Sequence, residues 1–337
     1  MILIFSSLHD FSTTMVCEWL NRFNEKFIRI NREDAVDIDY IDLKNGEIYL
    51  TINTKDETIN LNTVDAVWYR RGGLDRNIQI KYAKNDDHYL FQEGHVLNKH
   101  IQDEYITLIS YMQDKIEKEK SLGYKRKSSL NKLKVLDIAN EIGLDIPKSW
   151  IVTKKKDLIR LKEKHDLITK AIYESVYYQT QDYAYYTYTN EILTKEIKNF
   201  PDVFPPSLLQ EKINKKFELR IFYLRGTFYS MAIFSQKNKR TQVDFRNYDG
   251  EIPNRSVPFE LPDDIKYKLE KVFLKIGLNT GSADMVVDSN DTYFFLEINP
   301  IGQFTMTSRP CNYNLEKLVA LELIKIKNEN SKIKTEG

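Results

Sequence analysis

Two carboxylates and a carboxamide lie near the C-terminal end at a spacing suited to a hard cation. Asp284-Met285-Val286-Val287-Asp288 and Tyr293-Phe294-Phe295-Leu296-Glu297-Ile298-Asn299-Pro300 read as two short strands around a turn at Ser289-Asn290-Asp291-Thr292. A turn centred between Asn290 and Asp291 puts Asp284 directly opposite Glu297. Asn299, two residues on, then shares the Glu297 face. Like charges facing each other across paired strands repel, and among Val, Phe, Leu and Ile they are costly to bury unpaired. Three oxygen donors with excess negative charge suit magnesium, which takes one or two carboxylates, keeps some waters and completes its shell with phosphate oxygens. An edge hairpin with solvated acids fits the same local pattern.

Four upstream groups could handle a phosphorylated ligand. Lys132 opens a helical run, and Lys170 sits inside the apolar stretch Leu167-Ile168-Thr169-Lys170-Ala171-Ile172. Lysines can neutralise nucleotide phosphates as point charges, although a strand lysine more often points to solvent. Ser207-Leu208-Leu209-Gln210-Glu211-Lys212-Ile213 runs from apolar to polar. Such a segment can offer backbone N–H and C=O groups to an adenine edge while its apolar neighbours pack the ring; it also reads as a plain strand end. In Phe217-Glu218-Leu219-Arg220-Ile221-Phe222, Glu218 and Arg220 share a face. An acid suits ribose hydroxyls, and the arginine fork suits phosphate or carboxylate. A same-face ion pair worth well under about 1 kcal/mol is the plainer alternative. Residues 237–246 are basic, with Lys237, Lys239, Arg240 and Arg246. A solvated loop explains them; a loop lying over the cation site would let Arg246 stabilise a transferring phosphoryl group.

Periodicity supplies the elements that must position these groups. Residues 1–5 predict a buried strand, followed by a helix capped by Ser12 or Thr13 with Met15, Val16, Trp19, Leu20 and Phe23 at helical spacing. A strand at 27–30 completes a β-α-β start, as in open α/β sheets. No GxGxxG follows the first strand, so a dinucleotide site is not expected there. Asn45-Gly46 marks a hairpin, and Asp65-Ala66-Val67-Trp68-Tyr69 a further strand before Arg70-Arg71-Gly72-Gly73. Residues 85–120 read as helical and 123–127 as a basic connector. A helix begins at Ser128-Ser129, with Leu130, Leu133, Leu136, Ala139 and Ile142 on one face, and stops at Gly143. A strand at 150–152, a lysine-rich helix to about His165 and a strand at 167–172 follow. Residues 207–235 read as three strands with a turn at Arg225-Gly226, 263–276 as a helix, and the tail after Leu315 as one amphipathic helix.

The whole chain narrows the function classes. Its 337 residues predict two to three domains or subdomains, and 42% apolar content suffices for real cores. Fifty basic and 49 acidic side chains leave a net charge of +1, which favours neither nucleic acid nor an acidic membrane. Cys17 and Cys311 lack CxxC spacing and the five histidines form no HExxH, so a disulfide scaffold or zinc site is not expected. The first residues are too short and uncharged for a signal peptide, and no apolar run approaches a membrane span. The expectation is a cytoplasmic, α/β (α+β) protein. No nucleophile–base triad is visible.

The order of the parts is more specific than any one of them. Two phosphate lysines, a Gln-Glu hinge, an acid-x-arginine strand and Asp…Glu-x-Asn follow one another as in the ATP-grasp ligases. Residues 128–304 resemble the ATP-grasp fold of the ribosomal-protein glutamate ligases. Leu296-Glu297-Ile298-Asn299-Pro300-Ile301-Gly302-Gln303-Phe304 and Val67-Trp68-Tyr69-Arg70-Arg71 resemble the graspetide synthetases, the microviridin-type ligases that crosslink ribosomal peptides. The opening residues, Trp68-Tyr69-Arg70-Arg71-Gly72-Gly73 and Val243-Asp244-Phe245-Arg246-Asn247-Tyr248 are most similar to the ATP-grasp peptide maturases of the grasp-with-spasm branch.

This resemblance implies an N-terminal Rossmann-like pre-ATP-grasp domain (1–120), a central ATP-grasp subdomain (121–200) and a C-terminal subdomain with the magnesium site (201–330). It implies ATP and Mg2+ as ligands: Asp284, Glu297 and Asn299 on the metal, Lys132 and Lys170 on the phosphates, Glu211 and Ile213 on adenine through the backbone, and Glu218 on ribose. Arg220 and Arg246 would face the phosphate and the substrate acyl group. The implied reaction phosphorylates an Asp or Glu side chain of a precursor peptide (leader plus core), then closes an ester or amide with its Thr, Ser or Lys. Ligases of this kind are often homodimers, and the branch implies a SPASM-domain partner. One departure concerns residues 173–189, which are rich in tyrosine and contain no glycine, where many ATP-grasp enzymes close a glycine-rich loop. That segment would cover ATP through side chains or hold the leader peptide. The rival readings are a ligase attaching an amino acid to a small molecule or protein tail, and a tyrosine–lysine nucleic-acid binder.

Overall fold

The computed structural model describes residues 1–52, 57–74, 96–117, 120–173, 177–180, 183–186, 189–236 and 254–336. The chain forms two compact units, residues 1–128 with 314–337, and residues 129–313. Arg246 and the rest of the basic stretch 237–246 lie outside the described residues.

In the first unit, the strand β1 (Ile2–Ser6) is buried along its whole length, as the continuous apolar run requires of a parallel strand covered on both faces. Helix α1 (Phe11–Arg22) returns the chain to β2 (Phe27–Asn31), which pairs parallel with β1. The helix cap differs from the expectation. Asp10 is the N-cap, its Oδ1 accepting the Thr13 N–H at 3.0 Å, and Ser12 and Thr13 lie inside the helix. A carboxylate one turn ahead of the apolar stripe reaches the free N–H groups that those hydroxyls would otherwise bond. Strands β3 (Val36–Asp42), β4 (Glu47–Ile52) and β5 (Glu57–Asn60) form an antiparallel sheet, with Gly46 at φ +71° supplying the expected hairpin turn. Strand β6 (Ala66–Tyr69) joins the other side of β1. Helix α2 (Val96–Glu117) then leads to β7 (Ser121–Leu122), giving the order β2-β1-β6-β7. The C-terminal helix, Leu315–Glu336, packs on α1, β1 and β6.

At the C-terminal ends of these strands charge is buried. Arg70, only 3% exposed, lies 3.4 Å from Asp10, and Arg71 lies 3.3 Å from the same carboxylate. Burial pushes the Asp10 pKa up, but Arg70, the Ser12 hydroxyl, the Thr13 N–H and Arg71 outweigh it and leave it below the usual value.

The second unit opens with α3 (Lys132–Ile142). Its N-cap is Asn131, whose Oδ1 accepts from Leu133 and Lys134, so the helix starts later than Ser128-Ser129 suggested. It ends as expected at Gly143, φ +89°. Next come β8 (Ser149–Lys154), α4 (Lys155–Lys162), β9 (Leu167–Lys170), the short hairpin β10 (Tyr177–Gln179) and β11 (Ala184–Tyr186), β12 (Asn190–Glu191), α5 (Thr194–Ile197) and β13 (Val203–Glu211). Four of these strands form a sheet in the order β12-β9-β13-β8. A second sheet contains β14 (Lys215–Leu224), β15 (Thr227–Phe234), β16 (Arg255–Phe259), β17 (Thr280–Asp288) and β18 (Tyr293–Asn299), ordered β16-β15-β14-β17-β18 and antiparallel throughout. Arg225 (φ +41°) and Gly226 (φ +93°) make the two-residue turn between β14 and β15.

Helix α6 (Asp263–Ile276) places Leu269, Val272 and Phe273 against this sheet, beside Leu136 and Ala139 of α3 and Leu219, Ile221 and Ala283 of the strands. Full burial of each large side chain contributes about 1.5–3 kcal/mol, so the central strands β14 and β17 are the most firmly fixed elements of the unit. The short helix α7 (Thr305–Cys311) follows β18. No helix among the described residues is long and apolar enough to cross a membrane.

Candidate active site

The β17–β18 hairpin forms with the expected facing pair. Asp288 organises its turn, accepting the N–H groups of Asn290 and Thr292 at 2.9 Å each, and Asp291 adopts φ +60°. The ladder pairs Met285 with Phe295, then Asp284 with Glu297, so Leu296 is an extra residue in β18. This bulge sets Asp284 opposite Glu297; an unbroken register would have placed Leu296 there. Asn299 follows two residues later, its Oδ1 accepting from the Ile301 and Gly302 N–H groups at 3.1 and 3.3 Å.

Each of the facing acids meets a cation. Arg220 Nη1 donates to both oxygens of Asp284 at 2.6 Å, across the β14–β17 pair in which Arg220 and Asp284 are direct partners. Lys132, the first residue of α3, lies 3.0 Å from Glu297 Oε2. Glu218 and Arg220 share a face as expected but do not pair with each other in the described contacts. Glu218 Oε1 instead accepts from Lys215 Nζ and Ser235 Oγ, both at 2.8 Å.

Glu218, Asp284 and Glu297 border a solvent-open cleft whose other side is lined by Ile168, Lys170, Glu211 and, just beyond β13, Ile213; Lys132, Arg220, Asn299 and Ser235 are not among its lining residues. Lys170 ends β9 opposite Leu208 of β13, half-buried on the cleft rather than in solvent. At the end of β13 the Glu211 N–H is committed to the Lys148 carbonyl at 2.9 Å, and its side chain to His165 at 3.1 Å and Lys148 at 3.4 Å. The adjacent Gln210 amide donates to Ser149 Oγ, and that hydroxyl donates to the Pro147 carbonyl, both at 2.8 Å.

The donor set can be tested against magnesium. Among the described residues no cluster of three or more His, Cys, Asp and Glu side chains could hold a metal by itself. The two facing carboxylates instead offer an oxygen-only, incomplete donor set, which suits a cation that brings phosphate oxygens and waters with it, while the Asn299 Oδ1 is taken up by the Ile301 and Gly302 N–H groups. These residues fit that group. Lys215 and Gln210 line the same cleft, with Ser235 bonded to Glu218 and Ser149 to Gln210 behind it, and of these four the sequence pattern points only to Gln210. By strand alternation Lys215 should face away from Glu218.

Comparisons with known proteins agree with this architecture. Residues 1–105 match the model of the MvdD pre-ATP grasp domain. A RiPP-associated ATP-grasp ligase of Chryseobacterium gregarium, solved with ADP and a leader and core peptide, superposes with a TM-score of 0.76 at 24% identity, over 96% of each chain. The macrocyclase MdnC of Microcystis aeruginosa MRC, bound with precursor peptide MdnA, gives 0.74 at 22%, over 96% of this chain and 100% of that one. The ATP-grasp ligase PsnB, complexed with a phosphomimetic variant of its minimal precursor, Mg and ADP, gives 0.69 at 16%, over 96% and 98%. A D-alanine–D-alanine ligase of Buchnera aphidicola subsp. Schizaphis graminum is 26% identical over 192 residues, which are 45% of this chain and 62% of that ligase, less than two thirds of its length. The chain therefore has the ATP-grasp fold, with an N-terminal region similar to the MvdD pre-ATP grasp domain.

Proposed function

We propose that the chain is an ATP-dependent ligase that activates Asp or Glu side chains of a ribosomal precursor peptide and closes macrocyclic links with its Thr, Ser or Lys side chains. The observation that carries this reading is the cleft between the two sheets of the second unit. It joins a facing pair of acids to Lys170, Glu211 and Glu218, on a fold whose similar structures include ligases solved with precursor peptides.

In this reading ATP enters with its adenine at the end of β13. The Glu211 N–H is already used, so the Glu211 carbonyl and the Ile213 N–H would meet the base edge. Glu218 would bind the ribose. Lys132 and Lys170 would draw the phosphates inward, Lys132 exchanging Glu297 for phosphate oxygen. Asp284, Glu297 and Asn299 would hold magnesium, which when bound screens the charge of the β- and γ-phosphates. A substrate carboxylate oxygen attacks the γ-phosphorus, giving an acyl phosphate and ADP. Arg220, and Arg246 from outside the described residues, would stabilise the equatorial charge of that transfer. A hydroxyl or amine of the same peptide then attacks the acyl carbon and inorganic phosphate leaves. The chain supplies position and charge rather than a covalent nucleophile.

The peptide would reach the site through the central region, with the Tyr-rich hairpin β10–β11 as the leader-binding element. The finer features of this reading are a cytoplasmic location, the grasp-with-spasm branch with its SPASM-domain partner, and a homodimer. The location rests on composition and cysteine usage, and the branch, partner and homodimer on the family resemblance. The test is trapping. Purified protein, ATP, magnesium and the peptide from a Thr/Ser/Asp/Glu/Lys-rich reading frame beside its gene should release ADP, and hydroxylamine should convert activated side chains to hydroxamates. ATP binding without peptide-dependent ADP release would sink the proposal.

The match to a D-alanine–D-alanine ligase favours a second reading, ligation of a free amino acid. The two differ in mass balance: cyclisation removes one water per bond from the peptide, whereas ligation adds a residue to its acceptor.

A further inference from the structure

Lys215 and Glu218 are three residues apart in β14, and in a regular strand residues three apart point to opposite faces. Here they meet at 2.8 Å. The cause is a second bulge. Against β17, Lys215 pairs with Asp288 and Phe217 with Val287, so the register slips at Lys216 and the alternation inverts. Lys216 turns outward to an exposed contact with Asp291, and Lys215 turns inward to line the cleft. Its side chain is 8% exposed and that of Glu218 is 9% exposed. Ser235, fully buried just beyond the end of β15, donates to the same Glu218 oxygen at 2.8 Å.

Burying an ammonium and a carboxylate together gives little stability, because desolvation offsets their attraction. A bulge, a buried ion pair and a hydroxyl all directed at one oxygen make sense as a device that fixes an ionised carboxylate in one orientation. Charge-assisted hydrogen bonds on Oε1 set the carboxylate plane and leave the direction of Oε2 determined.

We infer that Lys215 and Ser235 are positioning residues for ribose recognition, holding Glu218 so that its carboxylate accepts the hydroxyls of the bound nucleotide. This rests on the ATP reading of the cleft. A carboxylate fixed in this way discriminates by the hydroxyl it accepts. Such a site favours ligands that carry the hydroxyl, because a ligand without it forgoes a hydrogen bond to a charged group.

The experiment is equilibrium binding of ATP and of 2′,3′-dideoxy-ATP, each with magnesium, by calorimetry. The proteins compared are wild type, Lys215→Met, Lys215→Arg and Ser235→Ala, with circular dichroism confirming that each is folded. Wild type should prefer ATP by about tenfold or more, the scale of one hydrogen bond to a charged group. Lys215→Met should lose most of that preference through weaker ATP binding, while its affinity for the dideoxy nucleotide stays within about twofold of wild type. Ser235→Ala should fall between, and Lys215→Arg should restore the preference. Loss of affinity for both nucleotides in equal proportion, or an unchanged preference in Lys215→Met, would overturn the inference. If Lys215→Met does not fold, Ser235→Ala decides by the same ratio. Wild type that binds no ATP would instead refute the nucleotide reading, whereas wild type that binds both nucleotides equally refutes only the ribose clamp.

Discussion

At the residue scale the site is a set of exchangeable ion pairs. Asp284 and Glu297 face each other because Leu296 is inserted, and Arg220 and Lys132 offset their repulsion. In the proposed cycle these partners serve twice, first balancing the acids and then balancing phosphate. Asp284→Asn and Glu297→Gln should therefore spare the fold while raising the magnesium concentration needed for peptide-dependent ADP release. Each should cost at least about 10–100-fold in metal affinity, the loss seen even when the groups that only orient a metal's ligands are changed, readable by titrating Mn2+ in the presence of ADP. Arg220→Met should act on rate more than on nucleotide affinity. Losing one donor to developing charge costs about 10²–10³ in kcat, and single-turnover kinetics would separate this from weaker binding.

At the element scale, two glycines let the end of β18 pack closely against β17. A side chain at Gly302 (φ +63°) would come within 3.0 Å of the Gly281 backbone, and one at Gly281 within 3.1 Å of the Asn299 carbonyl. Gly302→Ala should destabilise the second unit by about 1–3 kcal/mol through overpacking and left-handed strain, lowering the Tm and disturbing the Asn299 Oδ1 bond to the Gly302 N–H. In the first unit the pH dependence has a defined sign. Burial pushes the Glu117 carboxyl up to about 7 and the Lys125 ammonium down to about 8, with Arg32 adding to the latter. Glu117 binds its proton more tightly folded than unfolded, so its contribution to stability falls by up to ~3 kcal/mol as pH rises from about 4.5 to 7. Lys125 acts in the other direction, and stability recovers as pH rises above about 8. Chemical denaturation across this range should show the decline, and Glu117→Gln should flatten it.

Strands and helices with a clear period were legible in the sequence, down to the bounds of α6 and the turn at Arg225-Gly226. So was the facing of Asp284 and Glu297, although it depends on a bulge that the pattern did not reveal. The pattern misplaces the first helix cap at Ser12 or Thr13 and the start of α3 at Ser128-Ser129, because Asp10 and Asn131 are the side chains that reach the helix N–H groups. Lys215 could not be found, since a one-residue slip inverts the face on which every later side chain falls.

At the scale of the whole molecule, the proposed function has the ATP-grasp unit supply the energy, while residues 68–71 and the β10–β11 hairpin would decide what is joined. The similar structures superpose over 96% of the chain. The measurement that bears most directly on the central claim is the intact mass of the precursor peptide after incubation with the protein, ATP and magnesium. The expected result is the loss of one water for each ADP released, with the product resisting alkylation of its lost carboxylates and Glu297→Gln giving unchanged peptide. A precursor whose mass stays constant while ATP is consumed, or which gains an amino acid, would contradict the macrocyclase account.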